Sequence, residues 1–309
     1  MTQSRWCRRV GQAAVLAGLL TLELTSAPTS SGSTGRGDDS GLIVFQTERP
    51  AGDHTQTDLY TVTPDGSAPT RLTATPDLNE FGPVWSHDGD QIAFWRTPAP
   101  FGVGRLWVMS ADGSDRRALT TGVDARDPSW NPDGSRIVYD RATDDLYSLR
   151  VSDGQDVQQL TSGPEFDFEP AWSPDGRRIA FTRGTATGDP GNIYVLRLNG
   201  LQLTRITRSA AYDHQVAWAP RGHRLVFERD FGDRSSIYTI RSKGTDLKRL
   251  TSGAHFDVGP AYSPDASRIA FGSDRAGFLD DLWVMDSDGT DAEQLTSLPF
   301  SEAFPDWRA

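Results

Sequence analysis

Six carboxylates stand at nearly even intervals along the chain: Glu80, Asp124, Asp167, Asp213, Asp257 and Glu302. Six arginines keep the same pace, Arg49, Arg96, Arg141, Arg183, Arg229 and Arg275. Brought to one place, two such sets admit two chemistries. Paired one to one they are ionic staples, worth about 0–1 kcal/mol each when exposed and more where solvent is excluded and the guanidinium grips both oxygens. Left unpaired around an axis, the carboxylates form a charged mouth able to hold a hard cation such as calcium. The choice between them depends on elements that bring residues forty-odd positions apart to equivalent points.

The spacing identifies those elements. Each carboxylate precedes an aromatic by five residues, Asp124 by six, and the aromatics Trp85, Trp130, Trp172, Trp218, Tyr262 and Trp307 are separated by 45, 42, 46, 44 and 45 residues. Around each one a phrase repeats, at its fullest Pro170-Ala171-Trp172-Ser173-Pro174-Asp175-Gly176, followed by the apolar triplet Ile179-Ala180-Phe181. A period of this length with several short strands per unit is the signature of a β-propeller, one blade per repeat. In the copy around Trp172, strand A is read over 170–173 and strand B over 179–182, with Pro-Asp-Gly as the turn between them. Strand C is Asn192 to Leu196, rich in β-branched and aromatic residues. Asn199-Gly200 turns the chain, and strand D closes on Ile206-Thr207, matched elsewhere by Leu72-Thr73, Leu119-Thr120, Leu160-Thr161, Leu250-Thr251 and Leu295-Thr296. The strand C aromatics Tyr60, Trp107, Tyr147, Tyr194, Tyr238 and Trp283 are expected to pack between blades.

Phe304-Pro305-Asp306-Trp307 is a strand A with no B, C or D behind it, and the missing three lie near the start as Ile43-Val44-Phe45, Asp58 to Val62 and Arg71-Leu72-Thr73. The fold class is therefore all-β: a six-bladed β-propeller of four-stranded antiparallel blades, one blade closed by both termini. Closure removes the open sheet edges that would template aggregation.

Ahead of the propeller, Arg5, Arg8 and Arg9 precede an apolar run from Val10 to Leu22 and then Thr25-Ser26-Ala27. Residues 1–27 read as a secretory signal peptide, residues 28–40 as a Ser/Thr/Gly-rich linker, and residues 41–309 as the propeller. Cys7, the single cysteine, would leave with the signal. A chain of about 270 residues buries enough apolar surface to dispense with disulfides. Removing three Arg and one Glu with the signal takes the formal net charge from −11 to −13. That balance disfavours nucleic acid and anionic membrane as partners, and no Lys/Arg cluster is read on one face.

With the Trp-Ser-Pro-Asp-Gly phrase, the Ile-Ala-Phe triplet, the Asp-Leu-Tyr or Asp-Leu-Trp opening of strand C and the Leu-Thr close all repeated, the chain resembles the TolB-type β-propeller repeat family over residues 41 to 309. Ser86-His87-Asp88-Gly89, Ala219-Pro220-Arg221-Gly222 and Ser263-Pro264-Asp265-Ala266 depart from the turn without breaking the period. The resemblance implies a six-bladed propeller that binds something outside the cytoplasm. TolB itself, a periplasmic partner of a peptidoglycan-associated lipoprotein, carries an α/β domain ahead of its propeller. No counterpart is read in this sequence, so a place in the Tol system is not part of the expectation.

Catalytic motifs give negatives: no Gly-x-Ser-x-Gly nucleophile elbow, no phosphate loop, no His-Glu-x-x-His. Of the five His only His214 and His255, in adjacent D to A loops, are spaced to cooperate, and Asp286 to Asp291 reads as a turn, not a calcium loop. The expected function is a secreted or periplasmic, non-catalytic binding or scaffold propeller of the cell envelope, monomeric, with no cofactor unless calcium sits in the channel, and with no membrane insertion once the signal is cleaved. Its partner is a protein or glycan. The alternative is a calcium-dependent propeller hydrolase or lactonase, or a polysaccharide-active enzyme. The binding face is placed where B to C and D to A loops meet, with the two charge rings around its mouth and Phe101, Phe231 and Phe278 on its rim as exposed aromatic anchors.

Overall fold

A computed structural model describes residues 41–51, 54–99, 102–141, 145–185 and 191–308. The signal peptide, the linker, Cys7 and Phe101 lie outside the described residues. In chain order the strands are β1 (Ile43–Ala51), β2 (His54–Val62), β3 (Thr70–Arg71), β4 (Leu78–Trp85), β5 (Gln91–Pro98), β6 (Arg105–Ser110), β7 (Arg117–Ala118), β8 (Ala125–Trp130), β9 (Arg136–Arg141), β10 (Leu146–Arg150), β11 (Gln158–Gln159), β12 (Glu165–Trp172), β13 (Arg178–Thr185), β14 (Asn192–Arg197), β15 (Gln202–Arg205), β16 (Tyr212–Trp218), β17 (Arg224–Asp230), β18 (Ser235–Arg241), β19 (Lys248–Arg249), β20 (Asp257–Tyr262), β21 (Arg268–Ser273), β22 (Asp281–Asp286), β23 (Glu293–Gln294) and β24 (Ser301–Trp307).

They form six antiparallel four-stranded sheets. Blades 1 to 5 begin at β4, β8, β12, β16 and β20, and blade 6 has the order β24-β1-β2-β3, built from both ends of the propeller. The inner strands β4, β8, β12, β16, β20 and β24 touch one another in a closed cycle and surround the axis. Each seam between blades carries its own apolar core. Val44, Leu59 and Phe94 fill the seam between blades 6 and 1, and Ile43, Leu282 and Trp307 that between 5 and 6. The closing seams are thus packed like the rest.

Strand A is longer than the repeated phrase suggests, because five of the six carboxylates, all but Asp124, belong to the strand rather than to the loop before it: β12 starts at Glu165, five residues ahead of Pro170. Strand D is shorter, two residues in every blade except blade 3, where β15 has four. The Leu-Thr close explains why so short a strand suffices. Ile206 N–H donates to the Ile193 carbonyl (2.8 Å), and the Thr207 hydroxyl accepts from Ile193 N–H (3.0 Å), so one side chain extends the ladder past the strand. Thr73, Thr120, Thr161, Thr251 and Thr296 accept equivalent bonds at 2.9–3.1 Å. In the A to B turn, Ser173 and Asp175 bond each other and the N–H groups of Arg178 and Arg177, while Gly176 takes φ +69°.

Candidate functional site

Register decides which charges of the two rings meet. Arg96, Arg183 and Arg229 sit directly opposite Glu80, Asp167 and Asp213 in their sheets. Arg183 binds Asp167 through two bonds of 2.6 and 2.7 Å, Arg229 binds Asp213 at 2.5 and 2.9 Å, and Arg96 lies 3.0 Å from Glu80. All three carboxylates are buried. The short, bidentate contacts of Asp167 and Asp213 are the strong end of ionic pairing, whereas Glu80 meets Arg96 through one contact and burial pushes its carboxyl up to about 7.

The other three blades depart from the pattern. Counted from the apolar triplet, the position of Arg183 is held by Ser273 in blade 5 and by Thr47 in blade 6, so Arg275 and Arg49 stand two residues out of register. Arg275 still reaches Asp257 at 2.7 Å, passing over Ser273, whose hydroxyl binds the same oxygen. Arg49 does not pair with Glu302. It turns to strand C and binds Asp58 (2.7 Å) and Gln56 (2.8 Å), with Arg71 also on Asp58. Glu302, buried and hydrogen-bonded by the Thr296 hydroxyl and the Leu282 and Leu298 N–H groups, with no cation on it among the described residues, has its carboxyl pushed up to about 7 by burial. Asp124 lies just outside β8, held by Arg126 and Gly104 N–H, and Arg141 donates to the Tyr139 hydroxyl instead. One-to-one pairing therefore holds in four blades and fails in two.

The strand C aromatics do more than fill seams. The guanidinium carbons of Arg96, Arg141, Arg183, Arg229 and Arg275 lie 4.0 to 5.5 Å from the ring centroids of Trp107, Tyr147, Tyr194, Tyr238 and Trp283. Each of these five arginines is fixed by a cation–π contact on one side and, in four of them, by a carboxylate on the other.

A feature that the residue types alone hide lies three positions before each strand A aromatic. Gly82, Asp127, Glu169, Gln215, Gly259 and Phe304 all adopt left-handed backbone, φ 48–57°, at a β-bulge in the inner strand. Four of the six are not glycine, a conformation that costs roughly 1 kcal/mol or more per residue. In five of the six the next residue is proline, which has no N–H to leave unpaired where the ladder is interrupted. A left-handed residue then Pro, two before an aromatic, is the signal that sequence reading passed over.

The bulges aim N–H groups at the neighbouring blade, and inward side chains accept them. Gln46 takes the bond from Gly82 (3.0 Å), Glu169 from Gln215 (2.8 Å) and Gln215 from Gly259 (2.8 Å). On the side of blades 2 to 4 this polar belt becomes strongly charged. His214 lies between Glu169 (3.6 Å) and Glu228 (3.4 Å), and its ring sits 4.5 Å from that of Tyr212. Burial works against a charged imidazole, but the two carboxylates outweigh it and hold His214 protonated, well above the usual range. Next to them Asp127 and Asp140 press together. Burial, then Glu169, pushes Asp127 up to about 6, and burial, then Asp127, pushes Asp140 well above the carboxylate range. The Glu228 Oε2 oxygen has no hydrogen-bond partner among the described residues. At the equivalent bulge positions blades 1, 5 and 6 carry Gly82, Gly259 and Phe304, so the carboxylates at this position are confined to blades 2 and 3.

His214 and His255 do not cooperate: His255 contacts Asp257 instead, at 3.4 Å. Among the described residues no three or more His, Cys, Asp or Glu are set to hold a metal ion. Phe278 is wholly exposed in the B to C loop of blade 5, whereas Phe231 in the B to C loop of blade 4 is covered in part by Arg234 and Arg249, 5.0 and 5.9 Å from its ring. Among the described residues no helix is long and apolar enough to cross a membrane.

The model of the TolB beta propeller domain matches residues 142–309, more than half of the chain. The Tol-Pal system protein TolB of Zymomonas mobilis is 43% identical over 51 residues, which is 16% of this chain and 11% of that protein, and the one from Anaeromyxobacter dehalogenans is 50% identical over 54 residues, 17% and 12%. These matches thus span about a tenth of the curated relatives' length. Among solved structures, TolB from Acinetobacter baumannii superposes with a TM-score of 0.74 at 22% identity, covering 88% of this chain and 67% of that one. A putative TolB from Agrobacterium tumefaciens gives 0.67 at 21%, covering 85% and 91%. At these identities the superpositions establish the fold.

Proposed function

The chain belongs to the TolB β-propeller family, and on that premise we propose that it is a secreted or periplasmic, non-catalytic binding module of the cell envelope, taking a protein partner at the mouth of the axial channel on the face of the B to C and D to A loops. The observation that carries this reading is the contrast at that face between what is committed and what is free. Most ring arginines and carboxylates are spent on one another, which makes the mouth rigid. Phe278, by contrast, projects from the rim with its whole side chain in solvent. A rigid polar mouth with an exposed aromatic beside it is the arrangement of an interface anchor, in which a few large side chains carry most of the binding energy. Matches to proteins named for the Tol-Pal system support a protein partner over a small-molecule substrate.

The test is capture from the organism's own solubilised envelope by immobilised protein, comparing wild type with Phe231→Ser/Phe278→Ser. Loss of the captured species by a variant with unchanged melting supports the reading. Equal capture refutes it.

A further inference from the structure

The opposite face, made of the A to B and C to D turns, has a sector of its own. We propose that the turns of blades 3 and 4 form a second docking surface, which takes a short acidic polypeptide segment carrying apolar side chains. No basic cluster shows in the linear sequence, because the residues involved are scattered over 177–243 in four separate turns. The fold gathers them. Arg178, at the start of β13, crosses the seam between the two blades: it donates to the Gly222 carbonyl (3.0 Å) in one turn of blade 4 and to the Ser242 hydroxyl (3.3 Å) in the other, with its guanidinium 4.5 Å from the centre of the Trp218 ring. The turns are thereby joined into one surface.

Around this bridge stand Arg177, Arg197, Arg221 and Lys243, all exposed. None of the four has a side-chain hydrogen bond or ion pair among the described residues, in a chain whose net charge is −11. Four unpaired cations on two adjacent blades of an acidic protein are not explained by packing. Arg177, Arg178 and Arg197 also line one cleft with Asp175, Asn199, Gly200 and Gln202; Asp175 is taken up by Arg178 at 3.0 Å, which leaves Arg177 and Arg197 as the guanidinium groups open to an incoming carboxylate. Beside it are three of the chain's exposed large apolar residues, Leu201 (55%), Leu203 (40%) and Leu247 (47%), on the same turns and the strand that follows. Cations mixed with leucines call for a partner that is anionic and apolar in alternation.

The size of the sector selects the occupant. The neighbouring C to D turn of blade 5 carries Asp286, Asp288, Asp291 and Glu293. A broad polyanion such as an anionic bilayer or a nucleic acid duplex would lie across that turn as well and be repelled. An extended peptide needs only the width of two blades, about six to eight residues at roughly 3.3 Å each. This surface is separate from the channel mouth, so its failure leaves the reading of that mouth intact.

The experiment uses the full chain and a fluorescent peptide, Glu-Asp-Leu-Glu-Asp-Leu-Glu-Asp, followed by anisotropy at low and high salt. Saturable binding that weakens as salt rises, a loss of tenfold or more in Arg177→Glu/Arg197→Glu/Arg221→Glu, and weaker binding of the peptide with Ser in place of Leu are the expected results. The three arginines are exposed and unpaired, so melting of the variant is expected to match wild type, and Arg177→Gln/Arg197→Gln/Arg221→Gln gives a milder version of the same loss. No binding, undiminished binding by the charge-reversed protein, or equal or tighter binding of heparin, a DNA duplex or anionic phosphatidylglycerol vesicles overturns the proposal.

Discussion

The Asp306 carboxylate accepts a hydrogen bond from the backbone N–H of Trp85 at 2.7 Å, joining residues 221 positions apart in sequence. One belongs to the last strand, β24, and the other to β4 of the blade that follows it round the ring. Ser129 does the same service for Trp172 N–H at 2.9 Å between blades 2 and 3. Closure of the ring is therefore made by packing in the two seams of blade 6 and by this direct bond.

Removing Phe304 to Ala309 should open the ring. It strips the inner strand from blade 6 and uncovers Ile43 and the seam that Trp307 fills. Burial of a side chain as large as Trp307 is worth about 3–5 kcal/mol, so calorimetry should show melting lowered by roughly 10 °C or more. Asp306→Ala is expected to cost less, about 1–2 kcal/mol, as one bond to a buried N–H is lost.

The four paired blades and the two exceptions should respond differently to mutation. Arg183→Ala leaves Asp167 buried and unpaired and should destabilise by about 3 kcal/mol, most of it restored by adding Asp167→Asn. Arg49→Ala removes one of two arginines on Asp58 and should cost under half as much, because Arg71 remains. Chemical denaturation of the variants separates the two cases.

Thr207→Val keeps shape and removes the hydroxyl that accepts the Ile193 N–H, with an expected loss of about 1–3 kcal/mol. Thr207→Ser should recover most of it. A Val variant as stable as wild type would show that the Leu-Thr close is only a packing motif.

Stability should fall as pH rises from about 5 to about 8. Burial, helped at Glu48 by Asp280, pushes the carboxyls of Glu48, Glu302, Asp306 and Asp281 up to about 8, 7, 7 and 6. In this window the folded chain keeps protons that the unfolded chain has released, so each step up in pH favours unfolding. His214 acts in the same direction, since its raised pKa gives stability below about 6.5 that is lost as pH climbs through the folded value. At the acid end the sign reverses. Asp65, held down to about 2 by the Thr63 and Ser67 hydroxyls, and Asp88, held down by Ser86, contribute stability that disappears below about pH 4. Melting temperature against pH should therefore peak near pH 5.

The architecture was legible because its signals are local and repeated: a turn such as Ser173-Pro174-Asp175-Gly176 makes its bonds within six residues, and six copies give the blade count. The ring pairing was only partly legible. Counting charges set Arg49 and Arg275 beside Arg183, but counting from Phe45 and Phe271 puts Thr47 and Ser273 there, and a register difference of two residues is invisible to residue type. The wall of Asp127, Asp140, Glu169, His214 and Glu228 was not legible at all. These residues come from three blades, and their common direction follows from left-handed backbone at Asp127 and Glu169, a conformation that acidic residues do not announce. The cationic sector of blades 3 and 4 escaped for the same reason, since sequence distance conceals a seam that Arg178 spans.

The central claim is that partners are taken at the loop face beside Phe278. Replacing Phe278 by a photo-crosslinking amino acid, with the same replacement at Asp88 in a turn of blade 1 on the opposite face as control, tests it in the native envelope. The account predicts a discrete covalent adduct with an envelope protein from position 278 and none from position 88. An adduct from position 88 alone would contradict it.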